Sequence, residues 1–264
     1  MTLKRSTRRR LRDGTLYAVL AAVVLLVVLR ANRDAISANF LDKDTWKELW
    51  PDIILTAAKN TVKYTVTAFA GGILLALVLA LMKLSPLRLY RWLATAYIEF
   101  FRGLPALVVI IFMALGVPLA FGWIPPGGTI GAGIIALILV SGAYMAETLR
   151  AGIQAVPKGQ HEAARSLGMN GLWTMVTVIL PQAVRIVIPP LTNEFILLVK
   201  DTSLLAIVGM QANQVELTSF GQNGLTTYAN ASPLLAIALV YLVISIPATQ
   251  LVAHLERRQQ RASR

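Results

Sequence analysis

Two otherwise apolar stretches of the chain carry charged and polar side chains that could bind a polar solute. Glu99 and Arg102 lie in the first stretch, three residues apart and therefore on one face of a helix. A lone charge at membrane depth costs about 2.5–3.5 kcal/mol or more, so each such group needs a partner or a function. Two interpretations stay open: a local Glu99–Arg102 ion pair, or an Arg102 that lines a pathway and binds a substrate carboxylate.

The second stretch follows Pro189-Pro190, a pair that we expect to break the helix. It holds too many polar groups for a helix that faces lipid, so these groups should face the bundle interior or a water-filled cavity. Glu194 could bind an amino group there. The two stretches together supply six candidate pathway residues: Glu99, Arg102, Asn193, Glu194, Thr202 and Ser203.

Other kinds of chemistry lack the residues that they require. Cysteine is absent, which excludes thiolate metal sites and disulfides. The two histidines, His161 and His254, stand apart from any cluster of metal ligands. No G-x-x-x-x-G-K-[ST] phosphate-binding motif occurs, which argues against ATP hydrolysis by the chain itself. We therefore expect no metal, no bound cofactor and no catalytic residue.

The composition is that of a membrane protein. Hydrophobic residues make up 56% of the chain and charged residues 14%, against about 25% charged in soluble domains. The net charge is +12, but the cations lie at the ends of apolar runs and form no stripe with interleaved aromatic residues. Membrane lipid is therefore the expected surrounding, and nucleic acid is not an expected partner. The predicted fold class is an all-α integral membrane helical bundle.

Six apolar segments predict six transmembrane helices, with both termini inside. The first is short for a span, and a cleaved signal peptide remains an alternative for it. The third is too long for one straight helix and should break near Gly103–Pro105. Residues 46–57 should form one amphipathic helix at the outer interface. The six segments are residues 15–29, 61–82, 92–120, 129–145, 191–208 and 234–252.

The distribution of cations fixes the predicted orientation. Segments assigned to the outside carry few cations, all of them before the second span. Those outside residues are Arg30, Arg33, Lys43, Lys47 and Lys59. The segments assigned to the inside carry Lys4, Arg5, Arg8, Arg9, Arg10, Arg12, Lys83, Arg88, Arg91, Arg150, Lys158, Arg165, Arg185, Arg257, Arg258, Arg261 and Arg264.

A polar stretch over residues 147–181 interrupts the apolar sequence and lies inside in this topology. Pro157 suits the first turn of a helix and Gly168 the position after its end, so a short helix is predicted over residues 158–167. Asn170 can cap a second helix over residues 171–180, before Pro181.

This stretch resembles the EAA loop of bacterial ABC importer permeases. The resemblance rests on Glu162-Ala163-Ala164, then Gly168, then Val178, where Ile is usual, and Leu180-Pro181. Residues 97–105, YIEFFRGLP, are similar to the EFFRGTP signature of polar amino-acid permeases, with Leu in place of Thr. Further matching strings are Pro157–Gln160, Leu180–Arg185, Pro189–Asn193 and Lys200–Leu204.

The resemblance implies the permease subunit of an importer for a polar amino acid in a bacterial cell membrane. Its partners would be two ABC ATPase subunits that use the ATP, a second identical or homologous permease, and an external binding protein. The ATPases would dock on the EAA loop, at Glu162, Ala163, Ala164, Gly168 and Pro181. Such permeases have a five-helix core, assigned here to residues 60–264. Residues 1–59 would add a basic arm, the first helix and the external segment.

Two rival functions belong to other classes. An ion-gradient-driven secondary transporter would share the apolar spans and the buried charges. An integral membrane enzyme would need clustered catalytic or metal-binding groups, which the two isolated histidines do not supply.

Overall fold

The computed structural model describes the backbone of residues 5–262 and the side chains of residues 13–26 and 30–257. This part of the chain is helical and contains no strand, which confirms the all-α membrane bundle. The α-helices are α1 (Arg5–Arg30), α2 (Arg33–Phe40), α3 (Lys43–Leu49), α4 (Lys59–Leu84), α5 (Arg88–Gly103), α6 (Ala106–Ile111), α7 (Val117–Phe121), α8 (Gly128–Ala155), α9 (Lys158–Ser166), α10 (Gly171–Trp173), α11 (Leu180–Asp201), α12 (Leu217–Tyr228) and α13 (Ser232–Ala262). Three π-helical turns (Ile53–Ala58, Phe112–Gly116 and Thr174–Ile179) and two 3-10 turns (Thr202–Val208 and Ala212–Gln214) join or extend them.

Four helical segments of the described chain are long and apolar enough to cross a membrane. They are Ile53–Leu84, Gly128–Ala155, Gly171–Val208 and Ser232–Arg257. A fifth candidate is the pair Arg88–Gly103 and Ala106–Phe121, bent by 103° at the break between them. The break predicted near Gly103–Pro105 is thus confirmed. Leu104 is extended there, as expected for a residue before proline.

The predicted sixth span stays a prediction. Helix α1 covers the segment, but its described apolar part, Asp13–Leu26, is shorter than a span requires. The side chains from Leu16 to Leu26 in this part are exposed. The side chains of the basic arm, residues 4–12, and of Arg258, Arg261 and Arg264 lie outside the described residues.

Three predicted helix boundaries are wrong. Helix α8 continues through residues 147–155, so the polar loop begins at Val156. The helix that starts at Gly171 does not end at Pro181, because a π-helical turn over Thr174–Ile179 precedes this proline and leads directly into α11. Nor do Pro189 and Pro190 break the chain, since both lie inside α11. Neighbouring helices and local adjustments make prolines tolerable in membrane helices.

The single amphipathic helix predicted over residues 46–57 is also wrong. Helix α3 ends at Leu49, and a new helical segment starts at Ile53, beyond Pro51, which has no N–H to donate. Leu49 and Ile53 are about 2% exposed or less. They pack with Leu217 and Ile237 of α12 and α13, so this region closes one end of the bundle.

Helix α8 is the centre of the bundle. Within its most apolar window 61% is buried inside the chain, against 22–33% for the other three continuous spans. Helix α4 approaches it closely at Gly72, where a Cβ atom would lie 2.5 Å from Met145 Cε and 2.6 Å from Ser141 Oγ. The absence of a side chain at Gly72 therefore permits the α4–α8 contact. The low internal burial of the other spans leaves apolar faces for lipid or partner chains.

Candidate functional site

The polar loop between α8 and α10 has a defined internal geometry. Helix α9 begins after Pro157, which stands at the N-cap position instead of inside the predicted first turn. At its other end the Gly168 N–H donates to Arg165 O at 3.0 Å and the Met169 N–H to Ala164 O at 3.2 Å. This pair of bonds, with Gly168 at φ +82°, is a Schellman C-cap. The predicted short helix and the position of Gly168 after its end are confirmed.

Two further features hold the loop in place. Asn170 caps the next helix, as predicted, because its Oδ1 accepts the Trp173 N–H at 2.9 Å. On the bundle side, Val156, Ile179 and Ala183 form a small buried apolar cluster. The loop is therefore attached to both α8 and α11, the helices on either side of it in the chain.

The outer surface of the loop combines charge with exposed apolar side chains. Glu162 and Ala163 are exposed, and Leu167 is 83% exposed. Leu172 and Trp173 are also exposed at the start of the next helix. Exposed apolar side chains in a polar loop are typical of a surface that contacts another protein or the membrane.

The five candidate docking residues occupy different environments. Glu162, Ala163 and Gly168 lie on the exposed surface, whereas Ala164 is buried at 4% exposure. Pro181 is exposed in the first turn of α11.

A cavity of about 370 Å³ lies between the α5–α6 break, α8 and α11. Its walls are largely apolar, from Leu104 to Ala106 at the break and from Leu197 to Leu198 on α11. Four polar side chains complete the lining: Ser141, Tyr144, Glu194 and Asp201. Apolar walls with a few polar groups are typical of small-molecule sites.

Several polar groups of this cavity have no hydrogen-bond or ion-pair partner among the described residues. Glu194 and Asp201 form no ion pair with any described residue. Ser141 is 5% exposed, and its hydroxyl has no hydrogen-bond partner in the described structure. Buried polar groups are normally paired, so these groups are available to a bound polar molecule.

Arg102 lies beside this cavity and outside its lining. Its guanidinium carbon is 5.5 Å from the centroid of the Tyr144 ring, within the range of a cation–π contact. The Tyr144 hydroxyl donates to the Arg102 carbonyl oxygen at 3.4 Å. No ion pair joins Arg102 to Glu99 among the described residues, so that interpretation is wrong. The contact with Tyr144 takes the place of the expected contact with the neighbouring carboxylate.

Only Glu194 of the six candidate pathway residues lines the cavity. Glu99 and Asn193 are exposed elsewhere on their helices. Thr202 is fully buried and donates to Val199 O at 2.7 Å, while Ser203 is half-buried.

Three of the polar lining residues, Asp201, Ser141 and Tyr144, were not among the six candidates. Asp201 follows Glu194 by two helical turns and so shares its face, a signal that the periodicity contained. Ser141 and Tyr144 lie within a predicted span whose polar residues were not considered. Their role depends on which face of α8 meets the α5–α6 break, and that arrangement is tertiary.

A buried carboxyl at Glu216 was also missed, because it lies between the last two predicted spans, at 191–208 and 234–252. Glu216 is 0% exposed and caps α12. It accepts hydrogen bonds from the Thr218 N–H at 2.6 Å, the Ser219 N–H at 2.7 Å and the Tyr241 hydroxyl at 3.2 Å. Burial raises the pKa of Glu216, and the hydrogen bonds that it accepts act in the opposite direction.

The chain matches one protein family over most of its length. Residues 72–261, which include the cavity and the loop, match the family described as binding-protein-dependent transport system inner membrane component. The chain belongs to this family. The match lies within the predicted 60–264 domain and runs from the middle of α4 into α13.

Relatives of this inner membrane component carry amino-acid transport names. The chain is 40% identical over 205 residues to the probable glutamine ABC transporter permease protein GlnM of Bacillus subtilis. The match covers 77% of this chain and 91% of the relative. The chain is 35% identical to the arginine transport system permease protein ArgU of Corynebacterium glutamicum, covering 86% and 75% respectively. A solved amino acid ABC transporter with histidines is 37% identical, with a TM-score of 0.74 over 82% of this chain and 98% of that chain.

Proposed function

We propose that this chain is the membrane-spanning permease subunit of an ABC importer that carries a polar amino acid into the cytoplasm. The family is that of inner membrane components of binding-protein-dependent transport. The relatives named above are glutamine and arginine permeases, which supports an amino acid as the substrate. No feature of the described residues favours an ion-gradient-driven transporter or an enzyme.

One observation carries the proposal: helix α8 connects the cavity to the loop. Its middle lines the cavity with Ser141 and Tyr144, and its end leads through Val156 into the capped helix α9. A force applied to the exposed surface of α9 therefore reaches the cavity through one continuous helix. The partner that applies it would be an ABC ATPase dimer, which binds and hydrolyses the ATP.

Transport requires the permease to switch between two arrangements. Two loops acting together would contribute more of the free energy for this switch than one loop would. Moving a two-state equilibrium from 1:99 to 99:1 needs a differential of about 5.5 kcal/mol. A single short helix with a few exposed contacts supplies little of this amount. A pair of permeases, identical or homologous, would present two α9 surfaces to two ATPases. Small shifts at these surfaces can switch a bundle that has two stable arrangements.

The cavity would hold the substrate on its way through the membrane. Glu194 and Asp201 suit the binding of an α-amino group, and the Ser141 hydroxyl can donate to a carboxylate. Arg102 would contact a substrate only at the cavity edge, beside Tyr144. Glu99, Asn193, Thr202 and Ser203 would act outside the cavity if they belong to the pathway.

The surroundings follow from the same proposal. The chain is a multi-pass membrane protein. In this proposal it lies in a bacterial cell membrane, with both termini and the loop from Val156 to Asn170 (the α9 loop) in the cytoplasm. An extracellular or periplasmic binding protein would deliver the amino acid from the opposite side. The chain itself would bind no cofactor and catalyse no reaction.

Reversing one charge on the α9 surface tests the docking role. We expect Glu162→Lys to abolish co-purification with the ATPase, together with ATP-driven uptake into proteoliposomes, because Glu162 lies in the exposed surface that the partner would contact. Membrane insertion and thermal stability should be unchanged. Glu256→Lys, the same change at an exposed position on α13, is the matched control and should transport normally.

Normal uptake by Glu162→Lys would contradict the docking role. The rival mechanism is tested in the same vesicles by collapsing the ion gradients while ATP is retained. Uptake should persist under that condition and stop when ATP is withdrawn.

A further inference from the structure

A second cavity, of about 380 Å³, lies where α4 ends, α5 begins and α8 leaves the bundle core. It shares no lining residue with the substrate cavity and sits at the same end of α8 as the α9 loop. Its lining consists of Lys83, Arg91, Trp92, Thr95, Arg150 and Gln154. Three of these six side chains are cations.

The positive charge of this basic cavity is only partly neutralised. Glu147 forms ion pairs with Lys83 and with Arg150, the latter at 2.7 Å between Nη2 and Oε2. Among the described residues, no other carboxylate forms an ion pair with any of the three cations, and Glu147 itself does not pair with Arg91. Three cations against one carboxylate leave an excess of two positive charges. The side chains of Lys83 and Arg150 are only 18% and 28% exposed. Solvent therefore screens their positive charges less than it would screen fully exposed charges.

Arg91 is positioned to bind an anion. Its Nη1 donates to the carbonyl oxygens of Ser85 and Pro86, each at 3.1 Å, which holds the guanidinium over the turn between α4 and α5. In the described structure its Nε and Nη2 atoms have no partner. A guanidinium fixed in this way can donate two parallel hydrogen bonds to phosphate.

The surface next to the cations is apolar and faces outward. Trp92 is 66% exposed, and Leu89 and Leu93 on the same helix are 63% and 42% exposed. Tryptophan and arginine at the end of a membrane helix are typical of the membrane–water interface. An anion that also carries acyl chains would match both the cationic cavity and this apolar surface.

We propose that the basic cavity binds the phosphate headgroup of an anionic phospholipid, with its acyl chains along Leu89, Trp92 and Leu93. Basic pockets between membrane helices bind acidic headgroups in this way. The headgroup contacts Arg91 of α5 and Arg150 of α8, and so it joins α5 to the helix that carries Glu147. A free phosphate ion would satisfy the cations but leave the apolar surface uncovered. The proposal does not depend on which solute the chain transports.

Lipid retention by the purified full chain tests the proposal. Detergent-solubilised protein is titrated with phosphatidylglycerol or phosphatidylcholine, and bound lipid is measured by native mass spectrometry. We expect selective binding of phosphatidylglycerol, and a loss of about fivefold in apparent affinity in Arg91→Gln, in proportion to one interfacial cation. Arg88→Gln removes a cation from the same exposed helix end outside the cavity, and it should change the affinity by less than about twofold.

Further arms decide between the alternatives. Arg91→Lys keeps the charge and should retain selectivity, so an equal loss in Arg91→Gln and Arg91→Lys would indicate a structural role and overturn the proposal. Equal losses in Arg88→Gln and Arg91→Gln would reduce the effect to general surface charge, which also overturns it. The same holds if inorganic phosphate alone displaces the lipid at millimolar concentration. Should Arg91→Gln fail to fold, Thr95→Asp places a negative charge in the same cavity and must weaken binding.

Discussion

The α9 loop and the cavity between the α5–α6 break, α8 and α11 differ in whether their polar groups have hydrogen-bond partners. Within the loop, the Gly168 and Met169 N–H groups, and the side chain of Asn170, are paired over a few residues. Within the cavity, the Ser141 hydroxyl and two carboxylates lack partners in the described chain, although three distant segments surround them. The loop thus has a backbone fixed by local hydrogen bonds and an exposed apolar surface, where we propose that the ATPase binds. The cavity has unpaired polar groups, where we propose that the substrate binds. Substitutions should therefore separate energy coupling from substrate binding.

The largest effect should come from the cavity. Asp201→Asn removes a carboxylate from the lining, and a lost hydrogen bond to a charged group costs about 1.5–3 kcal/mol, or roughly 10–150-fold in KM for uptake. Co-purification with the ATPase should not change. Arg102→Ala removes only a cation–π contact at the cavity edge, so its KM should rise by less than about fivefold. An Arg102→Ala loss equal to that of Asp201→Asn would place Arg102 in the site after all.

A smaller effect is expected at the loop, from a pair of glycines. Neither Gly159 nor Gly168 has an atom within 4 Å of an added Cβ, but only Gly168 has a positive φ, of +82°. Gly168→Ala should strain the C-cap by about 1–2 kcal/mol and weaken ATPase binding by roughly 5–30-fold. Substrate affinity should be unaffected.

Gly159→Ala is the matched control, because the residue lies inside α9 and alanine favours helix. Its ATPase binding should equal or exceed that of the wild type. Equal weakening by both substitutions would mean that surface shape, and not the backbone conformation at Gly168, determines docking.

The smallest effect concerns stability at Glu216, away from both regions. Burial raises the pKa of this carboxyl in the folded state, so protonation favours folding. Its contribution to stability is complete below the unfolded pKa and is lost as the pH rises through the folded pKa. Glu216→Gln should therefore flatten the fall in Tm that begins as the pH rises above the ordinary pKa of a glutamate, measured by thermal unfolding in detergent. An unchanged pH profile in Glu216→Gln would contradict this, and exposed Glu256→Gln serves as the control.

The loop was predictable because its geometry is local. Pro157, Gly168 and Asn170 act through hydrogen bonds to residues fewer than six positions away. The helix ends of the bundle were less predictable. Pro181, Pro189 and Pro190 are breakers by local rules, but here they stand in a continuous helix supported by its neighbours.

The cavity could be predicted only in part. The polar face of α11 was visible from its composition, and Glu194 lies where expected. The pairing of Glu99 with Arg102 was wrong because Tyr144, 42 residues later, contacts Arg102 instead. The burial of Glu216 was not predicted, because a single carboxylate in a polar segment gives no sequence signal of burial. Its hydrogen bond to Tyr241, 25 residues away, appears only in the folded chain.

The length of α8 determines how far from the bilayer hydrocarbon a partner would bind α9. Its 28 residues, at 1.5 Å each, extend about 42 Å, against roughly 30 Å of hydrocarbon in a bilayer. If its first turn starts at one boundary of the hydrocarbon, its last two turns stand about 12 Å beyond the other. Arg150 and Gln154 then lie at headgroup depth, and α9 lies above it. An ATPase that binds α9 would then meet the protein outside the hydrocarbon layer.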